Sequence, residues 1–236
     1  ACKKQWDQRI AVTDQQLNKD LMQEIRENSN LSTFAGYVTK AGYDSVLSST
    51  KSYTVWAPTN QALQGLDPAI VNDMVKLRQF VANHIAARVY LTTSIQTPTR
   101  VHTLTGKNVT LTPSGVEDAN ITLANQYVKN GVLNVIDKPL TPKMNIWEYI
   151  QSLTNVGQLQ KAYLLGQDTT FVDTSKATVA SIDPNTGKPI LVAGTGEVKQ
   201  NKYFNRVRDL SNEDSLYTYI VLTDDAYNAE RTKVSG

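Results

Sequence analysis

Cysteine and histidine, the side chains best suited to nucleophilic attack, proton transfer near neutral pH and soft-metal ligation, are scarce in this chain: one cysteine, Cys2, and two histidines, His84 and His102. One Cys allows no internal disulfide and no multi-Cys zinc cage, and two His leave little for a metal cluster. There is no Gly-x-Ser-x-Gly elbow to raise a serine nucleophile. His84 ends an apolar helical run, where a buried, hydrogen-bonded imidazole is expected, and His102 falls in a β-prone run as a surface residue. Glu117-Asp118 and Glu213-Asp214 pair acids, but adjacent acids in polar surroundings read as solvated loop charges or caps. Gly194-Thr195-Gly196 is not followed by the Gly-Lys-Ser or Gly-Lys-Thr of a phosphate loop, so a turn is expected. No catalytic residue, metal or cofactor is expected. Trp56 and Trp147 fall on expected core faces, and only Trp6 is expected to be exposed enough to stack on a sugar or a membrane.

The 24 Lys and Arg against 22 Asp and Glu leave a net charge of +2, too small a field to make nucleic acid or an anionic bilayer the main partner. The 236 residues allow one sizeable core or two small ones. Cys2 stands on a polar segment with no apolar run long enough to span a bilayer. It is either a disordered stub with an incidental thiol or a tether.

Periodicity gives the helices and strands that carry these residues. Leu17, Leu21 and Ile25 recur every four residues, predicting a helix over 14–27 capped by Asp14. Leu31, Phe34 and Val38 predict a second, stopped at Gly42. Tyr53-Thr54-Val55-Trp56-Ala57 reads as a buried strand ended by Pro58, with Thr59 or Asn60 placed to cap a short helix. Asp67-Pro68 opens one long amphipathic helix reaching Ile85. Six short strands are then expected at 89–91, 100–104, 108–112, 120–123, 127–129 and 132–136. Helices, one strand, helices and then a meander predict an α+β domain rather than a doubly wound sheet.

At these residues a family resemblance becomes visible. Tyr53-Thr54-Val55-Trp56-Ala57-Pro58-Thr59-Asn60-Gln61-Ala62-Leu63 resembles the first signature box of the fasciclin domain, and Asn130-Gly131-Val132-Leu133-Asn134-Val135-Ile136-Asp137-Lys138-Pro139-Leu140 the second. Between them Asn83-His84-Ile85 and Val89-Tyr90 are similar to the family's His-containing link. The resemblance implies helices packed on a short-stranded β-sandwich or wedge, and motif positions of structural weight at Thr54, Trp56, Pro58, Thr59, Asn60, His84, Tyr90, Asn134, Ile136 and Asp137. Asn134 stands where the second box commonly has His, and its amide can supply both donor and acceptor. Arg88 stands where the link often has Gly, which puts a tight turn there in question.

The resemblance resumes further on. Met144-Asn145-Ile146-Trp147-Glu148-Tyr149-Ile150 is similar to a family opening helix, and Tyr217-Thr218-Tyr219-Ile220-Val221-Leu222-Thr223-Asp224-Asp225-Ala226-Tyr227 to a variant first box. Between them Asp183-Pro184-Asn185-Thr186-Gly187 marks a hairpin flanked by 177–182 and 189–193. The expected division is a tether over 1–13, a fasciclin domain over 14–143 and an incomplete second fasciclin-like unit with a β-hairpin insertion over 144–236. An apolar strand at 217–222 then needs a cover: the insertion, the first domain, a partner chain or, the expectation favoured here, a continuation beyond the 236 residues.

Ala1-Cys2-Lys3-Lys4 resembles the mature start of a bacterial lipoprotein, and the insertion resembles fasciclin lipoproteins of the Bacteroidetes. That resemblance implies lipidation of Cys2, membrane attachment through that lipid alone and a place at the outer membrane, exposed at the cell surface. Its partners would be other outer-membrane proteins, a transporter and its lipoproteins among them, with the chain a non-catalytic accessory subunit of a glycan or peptide uptake assembly. The alternative is a surface adhesin binding host or neighbouring-cell molecules.

Overall fold

The computed structural model describes residues 18–235. Cys2, Trp6, Asp14 and Leu17 lie outside them. The chain divides into two compact units, one up to Lys143 and one from Met144.

In the first unit, α1 (Leu21–Glu27) is capped by Asp20, whose carboxylate accepts from Gln23 N–H while the Gln23 side chain accepts from Asp20 N–H. The cap expected at Asp14 lies outside the described residues, and the helix starts at Leu21 because Asp20 has the reciprocal partner three residues on. A 3-10 turn leads into α2 (Ser32–Ala41), which ends at Gly42 with a left-handed φ of 79°, and α3 (Asp44–Leu47) comes next. The expected helix 67–85 is two helices, α4 (Pro68–Asn72) and α5 (Met74–Asn83). Asp67 caps the first, and Asp73 restarts the second by accepting from Val75 and Lys76 N–H.

Strands β1 (Tyr53–Pro58), β2 (Ile85–Ala86), β3 (Thr99–His102), β4 (Asn108–Leu111), β5 (Gly115–Val116), β6 (Ala119–Val128) and β7 (Gly131–Ile136) form one sheet in the order β2-β1-β7-β6-β5-β4-β3. β1 and β7 run parallel at its middle, in register from Tyr53 opposite Gly131 to Pro58 opposite Ile136. All six residues of β1 are buried. Alternation accounts for this: Val55 and Ala57 face a core shared with Leu21, Ile25, Phe34, Val38, Phe80 and Leu133, while Trp56 faces a second core with Val101, Val109, Leu111, Ile136 and Leu140. A strand covered on both faces reads as an unbroken apolar run.

Three expected strands differ. Residues 89–91 are irregular, because Tyr90 N–H is taken by the Thr54 hydroxyl rather than by a ladder. Residues 120–123 and 127–128 are parts of one strand, β6, with Lys129 in the turn after it; the register slips between Ile121 and Leu123 and again between Leu123 and Gln126, where Asn125 is a non-glycine at φ 52°.

The second unit contains α6 (Ile146–Ser152), α7 (Gln158–Leu165), β8 (Asp168–Val172), β9 (Val179–Ile182), β10 (Pro189–Leu191), β11 (Glu197–Asn201), α8 (Lys202–Arg206) and α9 (Asp224–Ser235). β9 and β10 are the two sides of the expected hairpin, and β8 and β11 pair with each other as a separate two-stranded sheet. Asn201 fastens this insertion to α7, donating to Leu164 C=O and to Asp168, each at 2.7 Å. The core is small: Ile150, Leu164 and Leu210 with Trp147, Phe204, Tyr217 and Tyr219 around them. Trp147 is only half-buried there, with its ring edge-on to Phe204 at 5.0 Å. The expected strand 217–222 is not formed, since the insertion strands pair with one another and no ladder reaches it among the described residues.

Candidate functional site

The motif residues converge on the parallel pair β1 and β7. Thr54, buried in β1, donates its hydroxyl to Arg88 C=O and accepts from Tyr90 N–H, each at 2.8 Å. Both bonds hold the link against the sheet. Arg88, at the position where the family link often has Gly, makes its bend without a positive φ. Pro58 closes β1 where its missing N–H costs no ladder bond, and Thr59 N–H then donates to Ile136 C=O at 3.1 Å. The Thr59 hydroxyl accepts from Ala62 N–H. Asn60 binds three ways, accepting from Thr33 N–H and donating to Ser29 C=O and the Ser32 hydroxyl. Its backbone N–H reaches Asn30 C=O at 2.8 Å. The first box thus ties the sheet to the start of α2.

His84 is fully buried at the end of α5, between the rings of Phe80 and Phe34, 4.6 and 5.4 Å away. Nδ1 donates to Phe80 C=O at 2.7 Å, and Nε2 accepts from Leu140 N–H at 2.9 Å. Those two bonds define the neutral Nδ1–H tautomer. Burial pushes its pKa down to about 4. A second proton on Nε2 would set two donors face to face. With both nitrogens spent on the backbone, the imidazole is placed to join α5 to the segment after β7, not to move protons for a substrate.

Asn134 lies opposite Trp56 in the β1–β7 register, fully buried. Its carbonyl accepts from Asn125 N–H at 2.8 Å, which holds the strained residue of β6 in place. Asn125 exchanges further bonds with Thr92 at 3.1 and 2.7 Å. Only the acceptor half of the Asn134 amide is used; its Nδ2 and the neighbouring Trp56 Nε1 are buried donors with no protein acceptor. Ile136 is core, and Asp137 accepts from the backbone and side-chain N–H of Asn120 at 2.7 and 2.8 Å, which holds its carboxyl below the usual range.

Two residues of weight escape the sequence reading. Asn130, expected only as half of a turn, is buried and clamps three segments: its carbonyl accepts from Leu21 N–H, and its amide donates to Leu47 and Ser49 C=O, all at 2.8 Å. The Asn-Gly pair signals a turn, and nothing local signals partners so far away in sequence. Glu117, expected to be a solvated loop charge, instead sits at φ 53°, accepts from Thr110 N–H at 2.6 Å and pairs with Lys143. Burial pushes its carboxyl up, but the Lys143 ammonium and Thr110 N–H outweigh that and hold it below the usual value. His102 lies exposed on β3, its ring 3.3 Å from the Asn108 side chain. Among the described residues no three His, Cys, Asp or Glu side chains stand where they could hold a metal, and no helix is long and apolar enough to cross a membrane.

Residues 29–142 match the fasciclin domain model, and the α+β fold of this region is fasciclin-like. Among solved structures, a FAS1 domain pair from the insect cell adhesion molecule fasciclin I is similar at 14% identity, covering 52% of this chain and 51% of that one, with a TM-score of 0.42. The chain thus spans about half the length of that structure. No curated protein sequence matches.

Proposed function

We propose that this protein is a non-catalytic binding protein of the bacterial envelope, held at the outer membrane by lipid on Cys2, and that it serves as an accessory subunit of a glycan or peptide uptake assembly. The observation that carries the binding part is how the motif residues are spent. Thr54, Asn60, His84, Asn134 and Asp137 all bind the protein's own backbone, so the fasciclin signature supplies a scaffold and leaves its surface to recognition.

The second unit favours protein as the bound partner. Met144, Tyr149 and Ile220 are 63, 55 and 72% exposed, a density of large apolar side chains more suited to another polypeptide than to a hydrated sugar. The chain's net charge of only +2 is compatible with contact to other outer-membrane proteins. Extraction of native membranes in mild detergent, with mass spectrometry of what travels with the protein, tests this reading. A transporter and its lipoproteins are the expected companions. An isolated protein that instead binds host or neighbouring cells would replace the uptake reading with that of an adhesin.

A further inference from the structure

The opening helix of the second unit, α6, has two faces of different chemistry. Ile146, Tyr149 and Ile150 line an apolar groove, while Trp147 and Gln151 line a separate cleft of about 490 Å³. The other walls of the cleft are the paired ends of β8 and β11, at Asp168–Thr170 and Lys199–Asn201, and Phe204 of α8. Apart from α6, every element around it belongs to the insertion. Its volume falls within the range of small-ligand sites.

The cleft is closed by elements that precede residues 217–222. α1 and α6 both open with a capping box, at Asp20 and Asn145, so Trp147 and Gln151 hold the positions of Met22 and Arg26. In the first unit Arg26 pairs with Asp44 and lies 3.5 Å from the Thr39 hydroxyl, so this side of α1 is met by residues that come before β1. The later strands reach α1 elsewhere, where Asn130 takes the N–H of Leu21. The counterpart of Leu21 is Ile146, which lines the groove and not the cleft. A strand that pairs with 217–222 as β7 pairs with β1 therefore meets the Ile146 face. The insertion itself stands between α7 and 217–222, as α3 stands between α2 and β1, and Trp147 N–H donates to Leu210 C=O in it at 3.1 Å.

The walls combine an aromatic platform with unspent polar atoms. Trp147, expected in the core, is only half-buried and keeps part of its surface in the cleft. Gln151, Thr169, Thr170 and Lys199 make no side-chain hydrogen bond or ion pair among the described residues. Gln200 accepts from Asn205 through Oε1 at 2.8 Å and keeps its N–H groups, and Asp168 accepts from Asn201 through Oδ1 and keeps Oδ2. Donors and acceptors thus stand together beside an indole, with one carboxylate and one ammonium whose charges cancel. The matching ligand is uncharged, apolar on one face and rich in hydroxyls that both donate and accept, which describes a pyranose. An anion would meet Asp168, and an apolar peptide side chain would leave the amides and hydroxyls around it unpaired.

We propose that this cleft binds a neutral pyranose unit of a glycan, stacked on Trp147 and held through its hydroxyls by Gln151, Asp168, Thr170 and Gln200. The proposal selects glycan over peptide as what the uptake assembly carries, rests on that reading, and leaves the apolar groove on the other face of α6 to the protein partner.

The test is isothermal titration calorimetry of the 236-residue protein with maltohexaose, cellohexaose, xylohexaose and mannohexaose, and with a tryptic digest of casein as the peptide probe. At least one of the sugars should bind, and Trp147→Ala should weaken it about tenfold. Gln151→Ala, at an exposed position, should weaken it several-fold with an unchanged thermal midpoint, and decides the matter if the Trp147 variant fails to fold. No binding of any of the sugars up to about 10 mM overturns the proposal, as does sugar binding that neither variant changes, or binding of the casein peptides alone. The same titration on protein extracted from native membrane provides a further check. Sugar binding that the 236-residue protein shows and the native form lacks would give the cleft to another segment of the same chain, and also overturn the proposal. Sugar binding without a transporter in the membrane extraction would fault the uptake reading and leave the site standing; a transporter without sugar binding would do the reverse.

Discussion

Acidification should destabilise the first unit through His84. The folded pKa is about 4 against an ordinary 6.5, so the unfolded chain takes up a proton more readily and stability falls as pH drops. The sign is that of a depressed pKa: the stability is fully present above about pH 6.5, lost progressively down to about pH 4, and changes no further below it. At roughly 1.36 kcal/mol per pH unit the whole loss is about 3 kcal/mol, of which about 2 has gone by pH 5. That is a large share of the roughly 5 to 15 kcal/mol typical of a domain. The cause is local: an imidazolium at this position has Phe34 and Phe80 rings around it, and its new proton faces Leu140 N–H. Glu117 and Asp137, both held below their ordinary values of 4.5 and 3.8, add their losses only further down the pH scale. Urea unfolding read by exchange of β1 and β7 amides, repeated between about pH 7.5 and 4.5, measures the effect on this unit alone. A His84→Gln variant should start less stable and show a much flatter dependence. A wild-type midpoint unchanged between about pH 7 and pH 5 would refute the buried neutral imidazole.

Trp56→Ala should cost about 3 to 5 kcal/mol, while Trp56→Phe, which keeps a ring and removes a buried donor without an acceptor, should cost much less; thermal unfolding compares them. Asn130→Ala leaves Leu21 N–H and the Leu47 and Ser49 carbonyls without their partner and should lose about 3 kcal/mol or more, with α1 amides exchanging fastest. Native protein extracted from membrane should carry acyl mass on Cys2, and an unmodified thiol in that material would remove the anchor from the proposal.

The middle of the first unit is legible in the sequence because its chemistry is local. Six consecutive positions from Tyr53, apolar but for Thr54, define a strand buried on both faces, Asp67-Pro68 starts a helix, and Gly42 ends one. The errors have one physical source, which is that tertiary partners outbid local pattern. Asp73 splits a continuous amphipathic run because its carboxylate is free to cap two N–H groups. Thr54 takes the N–H that Tyr90 would have given to a ladder. The two fragments read on either side of residue 125 are one strand because the Asn134 carbonyl, nine residues on, holds Asn125 in a left-handed turn. Asn130 could not be weighed at all, since its clamp closes only when α1, α3 and β1 have assembled around it.

The two first boxes make the same point with nearly matched sequences. Trp56 is wholly buried and its counterpart Ile220 is mostly exposed, although both stand fourth in a run beginning Tyr-Thr. The difference is supplied by neighbours: β7 and β2 flank one run, and a single glutamine side chain flanks the other.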